Sequence, residues 1–206
     1  MTQLSELPTL LGARFGPVDR ALPDGPGKQA AVALVLRPGA ARVDEPLLRA
    51  SEILIIKRAK SERDPWSGHM AFPGGRVDPA DTDLVQTAVR ETLEETEVGL
   101  AGGPVIGRLD PVYPAGPGLP QITIWPFVFR VPTATYGAPD LREVETLHWF
   151  SVADLVSEAN RGTHRLHHRG KARAFPCPRL GGHVIWGLTF RILTQFLEVD
   201  GAESKA

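Results

Sequence analysis

The 206-residue chain has one cysteine, no excess of either charge sign and no long apolar run. Cys177 stands alone, so an intramolecular disulfide is excluded, and no Cys/His spacing matches a zinc site. Lys and Arg total 23 against 24 Asp and Glu, a formal charge of −1. That balance excludes the broad basic field that bulk nucleic-acid binding uses. No window approaches the roughly 18 uninterrupted apolar residues of a membrane span, so no membrane partner is expected. The opening MTQLSELPTLLGARFG lacks a basic start followed by a long apolar stretch, so a cytoplasmic protein without a signal peptide is expected. With 42% apolar and 23% charged residues, disordered, collagenous and coiled-coil classes also drop out.

What the chain has in quantity is glycine (21) and proline (19). They cluster at 16–27, 38–46, 73–79 and 111–120, between segments of regular pattern, and so read as loops of one domain. Short β-branched or leucine runs at 30–36, 52–57, 104–109, 121–131 and 147–150 predict strands. Residues 83–96, 152–160 and 183–197 predict helices, with a further helix over 4–15. The reading is an α/β (α+β) domain over 30–198. A helix and a Gly/Pro-rich lead-in occupy 1–29, and 199–206 form a disordered tail.

The segment FPGGRVDPADTDLVQTAVRETLEETEVGL carries the chemistry. At about 100° per residue, Val85, Ala88, Val89, Thr92, Leu93 and Thr96 form one arc, the expected core face. Arg90, Glu91, Glu94 and Glu95 form another. Three carboxylates on one short patch repel, and Arg90 offsets only part of that. A hard divalent cation offsets more and leaves coordination positions for water and phosphate. Asp81 or Thr82 is the expected N-cap. The turn Phe72-Pro73-Gly74-Gly75 before the helix allows backbone to approach an ion or phosphate closely.

These residues resemble the Nudix hydrolase signature, in which Gly75, Arg90, Glu91, Glu94, Glu95 and Val98 match in order. Asp81 replaces the first Glu, one extra residue precedes Arg90, Thr92 replaces an aliphatic, and Glu97 stands where Gly is usual. Gly99 then suggests a helix that runs on slightly before its terminal turn. The resemblance implies a Nudix fold, a mixed β-sheet sandwiched between α-helices. It also implies hydrolysis of a nucleoside diphosphate derivative with Mg²⁺, Mn²⁺ being possible. By position, Glu91, Glu94, Glu95 and the Gly74 carbonyl would be metal ligands, and Arg90 would hold the carboxylates. Glu143 is the first candidate for a further acid from a later loop, acting as ligand or base, and Glu145 the second.

Upstream, LIIKRAKSERDPWSGHMAFPGG resembles the signature of coenzyme A pyrophosphatases through Leu54, Arg58, Arg63, Gly68 and Phe72-Pro73-Gly74-Gly75. Ile56 and Ala59 depart from it, as does one extra residue between Arg63 and Gly68. The implied activity is cleavage of coenzyme A to 4′-phosphopantetheine and adenosine 3′,5′-bisphosphate. ADP-ribose or nucleotide-sugar hydrolysis is the alternative, and a non-catalytic nucleotide sensor of the same fold the second. The intact Glu91, Glu94 and Glu95 favour catalysis. Arg58 and Arg63 are candidates for substrate phosphates, and Trp66, Phe72 and Tyr113 for the base or the pantetheine arm. The acid-free stretch 161–173 is expected to be a solvated loop, with a basic flap over the substrate as the sharper reading. Apolar Trp186, Phe190 and Phe196 on the last helix allow either a core stripe or a homodimer face.

Overall fold

The segment KQAAVALVLRP has apolar side chains at successive positions, a pattern that suits a strand covered on both faces. In the computed structural model, which describes residues 5–23, 27–39, 48–62, 64–116, 118–168 and 171–200, it is the central strand β1 (Lys28–Pro38). Ala31, Ala33 and Val35 face one side, Leu34 and Leu36 the other, and all five are fully buried. Parallel to β1 runs β6 (Ile122–Arg130), with Phe127 and Phe129 on the Ala33 side and Val128 on the Leu34 side. β5 (Val105–Arg108) forms the edge beyond it.

On its other edge, β1 pairs with the antiparallel β2 (Ser51–Arg58) only from Leu36 to Pro38. Farther along, that edge is taken by β4 (Gly74–Arg76), while β3 (Met70–Ala71) sits on β2. The two long strands therefore fork, and the Phe72-Pro73 turn is wedged into the opening, where the Pro73 carbonyl accepts the Ala33 N–H at 2.9 Å. β7 (Val144–Ser151) pairs with β2 on the far side, completing a seven-stranded mixed sheet.

Helices α1 (Leu7–Phe15) and α4 (Gly187–Leu197) cover the Leu34 face, where Leu7, Leu11, Leu193 and Phe196 are fully buried. Each such side chain stabilises the fold by about 2 kcal/mol. Helix α2 (Leu84–Thr96) covers the Ala33 face through Leu84, Val85 and Ala88. This is the expected mixed sheet between helices. Of the apolar residues at this helix, Leu193 and Phe196 are core, whereas Trp186 and Phe190 are half-buried.

Several expected boundaries differ. The helix expected over 152–160 is α3 (Val152–Val156) followed by a separate 3₁₀ turn, Glu158–Asn160, because Ser157 is extended. The helix expected from 183 starts only at Gly187, since β10 (His183–Val184) first pairs with Leu180 and Arg179. The stretch expected as a loop is an antiparallel hairpin, β8 (Arg161–His168) with β9 (Lys171–Leu180), which β10 extends to three strands. Its alternating pattern is masked in sequence by basic residues on the solvent side. Arg169 lies outside the described residues. So does 201–206, most of the expected tail, while Glu198–Asp200 form a 3₁₀ turn.

Candidate active site

Helix α2 starts at neither expected cap. Asp83 is the N-cap, its carboxylate accepting the Gln86 N–H at 2.7 Å. Asp81 cannot serve there because it is committed to Arg90. The Arg90 guanidinium reaches it with both prongs, Nε to Oδ1 at 3.0 Å and Nη2 to Oδ2 at 2.8 Å. Thr87 Oγ1 and the Asp78 N–H also donate to Asp81 Oδ2. These bonds, Arg90's first, hold the Asp81 carboxyl down to about 2, and Arg90 keeps its proton more tightly than an ordinary arginine. The third prong, Nη1, donates to Glu91 Oε1 at 2.8 Å and Glu94 Oε2 at 3.1 Å. One arginine thus ties Glu91 and Glu94 to a buried anchor outside the helix.

The buried face of α2 is rotated from the expected arc. Leu93 is 51% exposed, whereas Glu95 is 2% exposed. Thr92 is buried in place of an aliphatic because its hydroxyl bonds back to the Ala88 carbonyl at 2.6 Å. The helix does not run on toward Gly99. It ends at Thr96, and Glu97 takes the left-handed conformation (φ 57°) at the position where the Nudix pattern has glycine.

Glu95 is held by the wedged turn. The Gly74 N–H donates to Glu95 Oε2 at 2.9 Å, and Arg58 Nη1 lies 3.8 Å from Oε1. Gly74 pairs with Val32 between the bonded pairs at Pro73 and Gly75, a register in which its amide and carbonyl are not used by β1. Glycine is required at 74, and at 75 it leaves room for the Glu91 side chain. A Cβ on Gly74 (φ 146°) would lie 2.3 Å from the Ala31 carbonyl oxygen, and one on Gly75 equally close to the Glu91 carboxylate. Burial pushes Glu95 up to about 8 against the opposing pull of Gly74 and Arg58, and burial likewise raises Glu91.

Glu143 lies close enough to raise the proton affinity of both Glu91 and Glu95, and its carbonyl accepts the Ala59 N–H at 2.8 Å. Glu145 points elsewhere and pairs with Lys57 Nζ at 2.5 Å. Sequence reasoning missed Asp64, which fixes Arg58 through Oδ2 at 2.8 Å and accepts the Trp66 N–H through Oδ1. Its only signal is its place six residues after Arg58. Trp66 is half-exposed in that same turn. Arg63 lies outside the described residues. Phe72 is 3% exposed among core side chains, so the structure makes it a packing residue rather than a stacking surface. Tyr113 is 54% exposed in a separate cleft with Lys28 and Gln121.

The donor set suits a hard divalent cation. Glu91 and Glu95 are carboxylates that burial drives toward the proton despite Arg90 and Arg58, a cost that a bound cation would offset, and Gly75 leaves a Cβ-sized cradle against Glu91. Among the described residues, no three acidic, His or Cys side chains converge on one point as they stand. Glu91 and Glu94 are turned to Arg90, and the Glu94 side chain is 58% exposed.

The NUDIX domain description matches residues 29–173. A mouse protein named mitochondrial coenzyme A diphosphatase NUDT8 is 33% identical over 159 residues, 74% of this chain and 74% of its own. Its human namesake is 33% identical over 167 residues, 78% of this chain and 68% of its own. A solved MutT/nudix family protein from Enterococcus faecalis shares the fold over 97% of this chain and 70% of its own, with a TM-score of 0.53 at 18% identity. Both mammalian relatives are named for the mitochondrion, a compartment the cytoplasmic expectation does not include. Among the described residues no helix is long and apolar enough to cross a membrane. The family match extends from β1 past the acidic helix into β9, so this chain belongs to the NUDIX domain family and is a Nudix pyrophosphohydrolase.

Proposed function

We propose that this enzyme hydrolyses the diphosphate of coenzyme A, releasing 4′-phosphopantetheine and adenosine 3′,5′-bisphosphate, with Mg²⁺ as its metal and Mn²⁺ as a substitute. The observation that carries the reading is Glu95, a buried carboxylate held by the Gly74 N–H and faced by Arg58. The same turn and arginine belong to the upstream segment that resembles coenzyme A pyrophosphatases. The relatives named for that activity, 33% identical over most of the chain, support the substrate.

Glu91, Glu94, Glu95 and the Gly74 carbonyl would hold the metal. When bound, it neutralises diphosphate oxygens and raises the acidity of a water. Arg90 keeps Glu91 and Glu94 oriented from its anchor on Asp81. Arg58, fixed by Asp64, directs a guanidinium at the phosphate oxygens. Glu143 accepts a proton from the attacking water at its carboxylate. Arg63 and Tyr113 remain candidates for contacts to the rest of the substrate.

The test is a panel of coenzyme A, ADP-ribose, nucleotide sugars and dinucleoside polyphosphates with Mg²⁺ or Mn²⁺, products resolved by chromatography. Coenzyme A is expected to give the highest kcat/KM, with the two named products. A higher value for ADP-ribose or a nucleotide sugar overturns the substrate.

A further inference from the structure

The hairpin β8–β9 is not absorbed by the metal-binding helix, yet it reaches the same site through a chain of contacts. Arg58, 3.8 Å from Glu95, donates its backbone N–H to the His69 carbonyl at 2.9 Å. The His69 ring lies 5.0 Å from the Trp186 ring, and Trp186 lies 4.3 Å from the His164 ring on β8. Phe175, directly across the hairpin from His164, sits 5.8 Å from Trp186. All four rings are half-buried, so each keeps part of its surface in solvent.

The register of the hairpin shows which way this surface continues. Cross-strand partners share a face, and along this face Gly162 and Cys177 lie inward, then His164 and Phe175, then Leu166 and Arg173 outward. Cys177 is buried, whereas Leu166 is 41% exposed and Arg173 is exposed. The hairpin is thus rooted in the core and carries an apolar and a cationic side chain, both exposed, beyond His164 on the same face.

We propose that Trp186, His69 and His164, with Leu166 and Arg173 beyond them on the same hairpin face, form the seat for the nucleobase half of the substrate, on the Arg58 side of the diphosphate. The inference rests on the diphosphate-hydrolase reading above. A planar base stacks on aromatic rings, and an imidazole supplies both a donor and an acceptor for its edge. Rings already packed together lose little freedom when a ligand arrives. Arg173, at the outer end, favours an anionic group carried by the nucleoside. An aliphatic arm would gain apolar contact on these rings but would leave the imidazole edges without a partner.

The experiment compares coenzyme A with an abasic analogue in which hydrogen replaces the adenine, in wild type, His164→Ala, Trp186→Phe and Tyr113→Ala. His164→Ala is the primary variant, because Trp186 also precedes α4 and its replacement can disturb packing. For His164→Ala, KM for coenzyme A is expected to rise about tenfold with kcat retained, while KM for the abasic analogue stays unchanged. Equal changes for both substrates, or no change for either, overturn the seat. So does a base-selective rise in Tyr113→Ala alone, which would place the base in the other cleft. If wild type turns over no base-bearing diphosphate, the hydrolase reading fails instead. Calorimetric binding of coenzyme A in EDTA then decides the seat, and a Kd equal in wild type and His164→Ala overturns it.

Discussion

Replacing Glu95 by Gln tests the buried carboxylate as a question of stability, apart from turnover. The side chain is 3% exposed, and its pKa rises from an ordinary 4.5 to about 8, mainly through burial. Below pH 4.5 both folded and unfolded states hold the proton, and the group costs nothing. As pH climbs toward 8, the unfolded state gives up its proton while the folded state keeps it, so stability falls by about 1.4 kcal/mol per pH unit. At pH 7 the accumulated cost is about 3 kcal/mol, which Gln avoids because it carries no charge and can still accept the Gly74 N–H. In a chain of this size about 3 kcal/mol corresponds to a rise in Tm of roughly 6–12 °C. Thermal unfolding in EDTA at pH 5, 7 and 8 measures it. The Gln variant is expected to match wild type near pH 5 and exceed it increasingly above. Adding Mg²⁺ or Mn²⁺ should stabilise wild type, which then carries the anionic form, and should stabilise the variant much less. Parallel pH profiles in EDTA for the two proteins would refute the reasoning.

Two further substitutions probe how α2 is held. Asp81→Asn removes the charge that anchors Arg90 while leaving the guanidinium in place, and urea unfolding at pH 7 should show a loss of about 3 kcal/mol with a fall in kcat. Because Asp81 is held down to about 2, its contribution is present above its ordinary 3.8 and is lost as pH falls toward 2. The variant's deficit should therefore shrink in acid; a deficit independent of pH would remove the ion-pair account. Glu97→Gly relieves a left-handed conformation that costs a residue with a Cβ about 1 kcal/mol, so urea unfolding should show a gain of that order with kcat unchanged. A loss of stability would show that Glu97 makes a contact worth more than its strain.

The sequence by itself determined the chemistry and the framework. Arg90, Glu91, Glu94 and Glu95 are close in the chain, so helical periodicity alone brings them to one patch, and the successive apolar residues of β1 already require cover on both faces. Local rules sufficed there because the residues involved are neighbours along one element. The tertiary structure decided what depends on distant segments. Arg58 and Gly74 meet Glu95 only because β1 and β2 fork and admit the turn between them. That meeting turned the buried face of α2 toward an acid and left Leu93 in solvent, against the helical wheel. Phe72 read as a ligand contact until the core claimed it, and 161–173 read as a loop because its charges hid an alternation that only pairing with 171–180 reveals. A helix face is set by spacing of about 3.6 residues within the chain, whereas the partner of a buried charge is set by where the sheet brings remote backbone and side chains together.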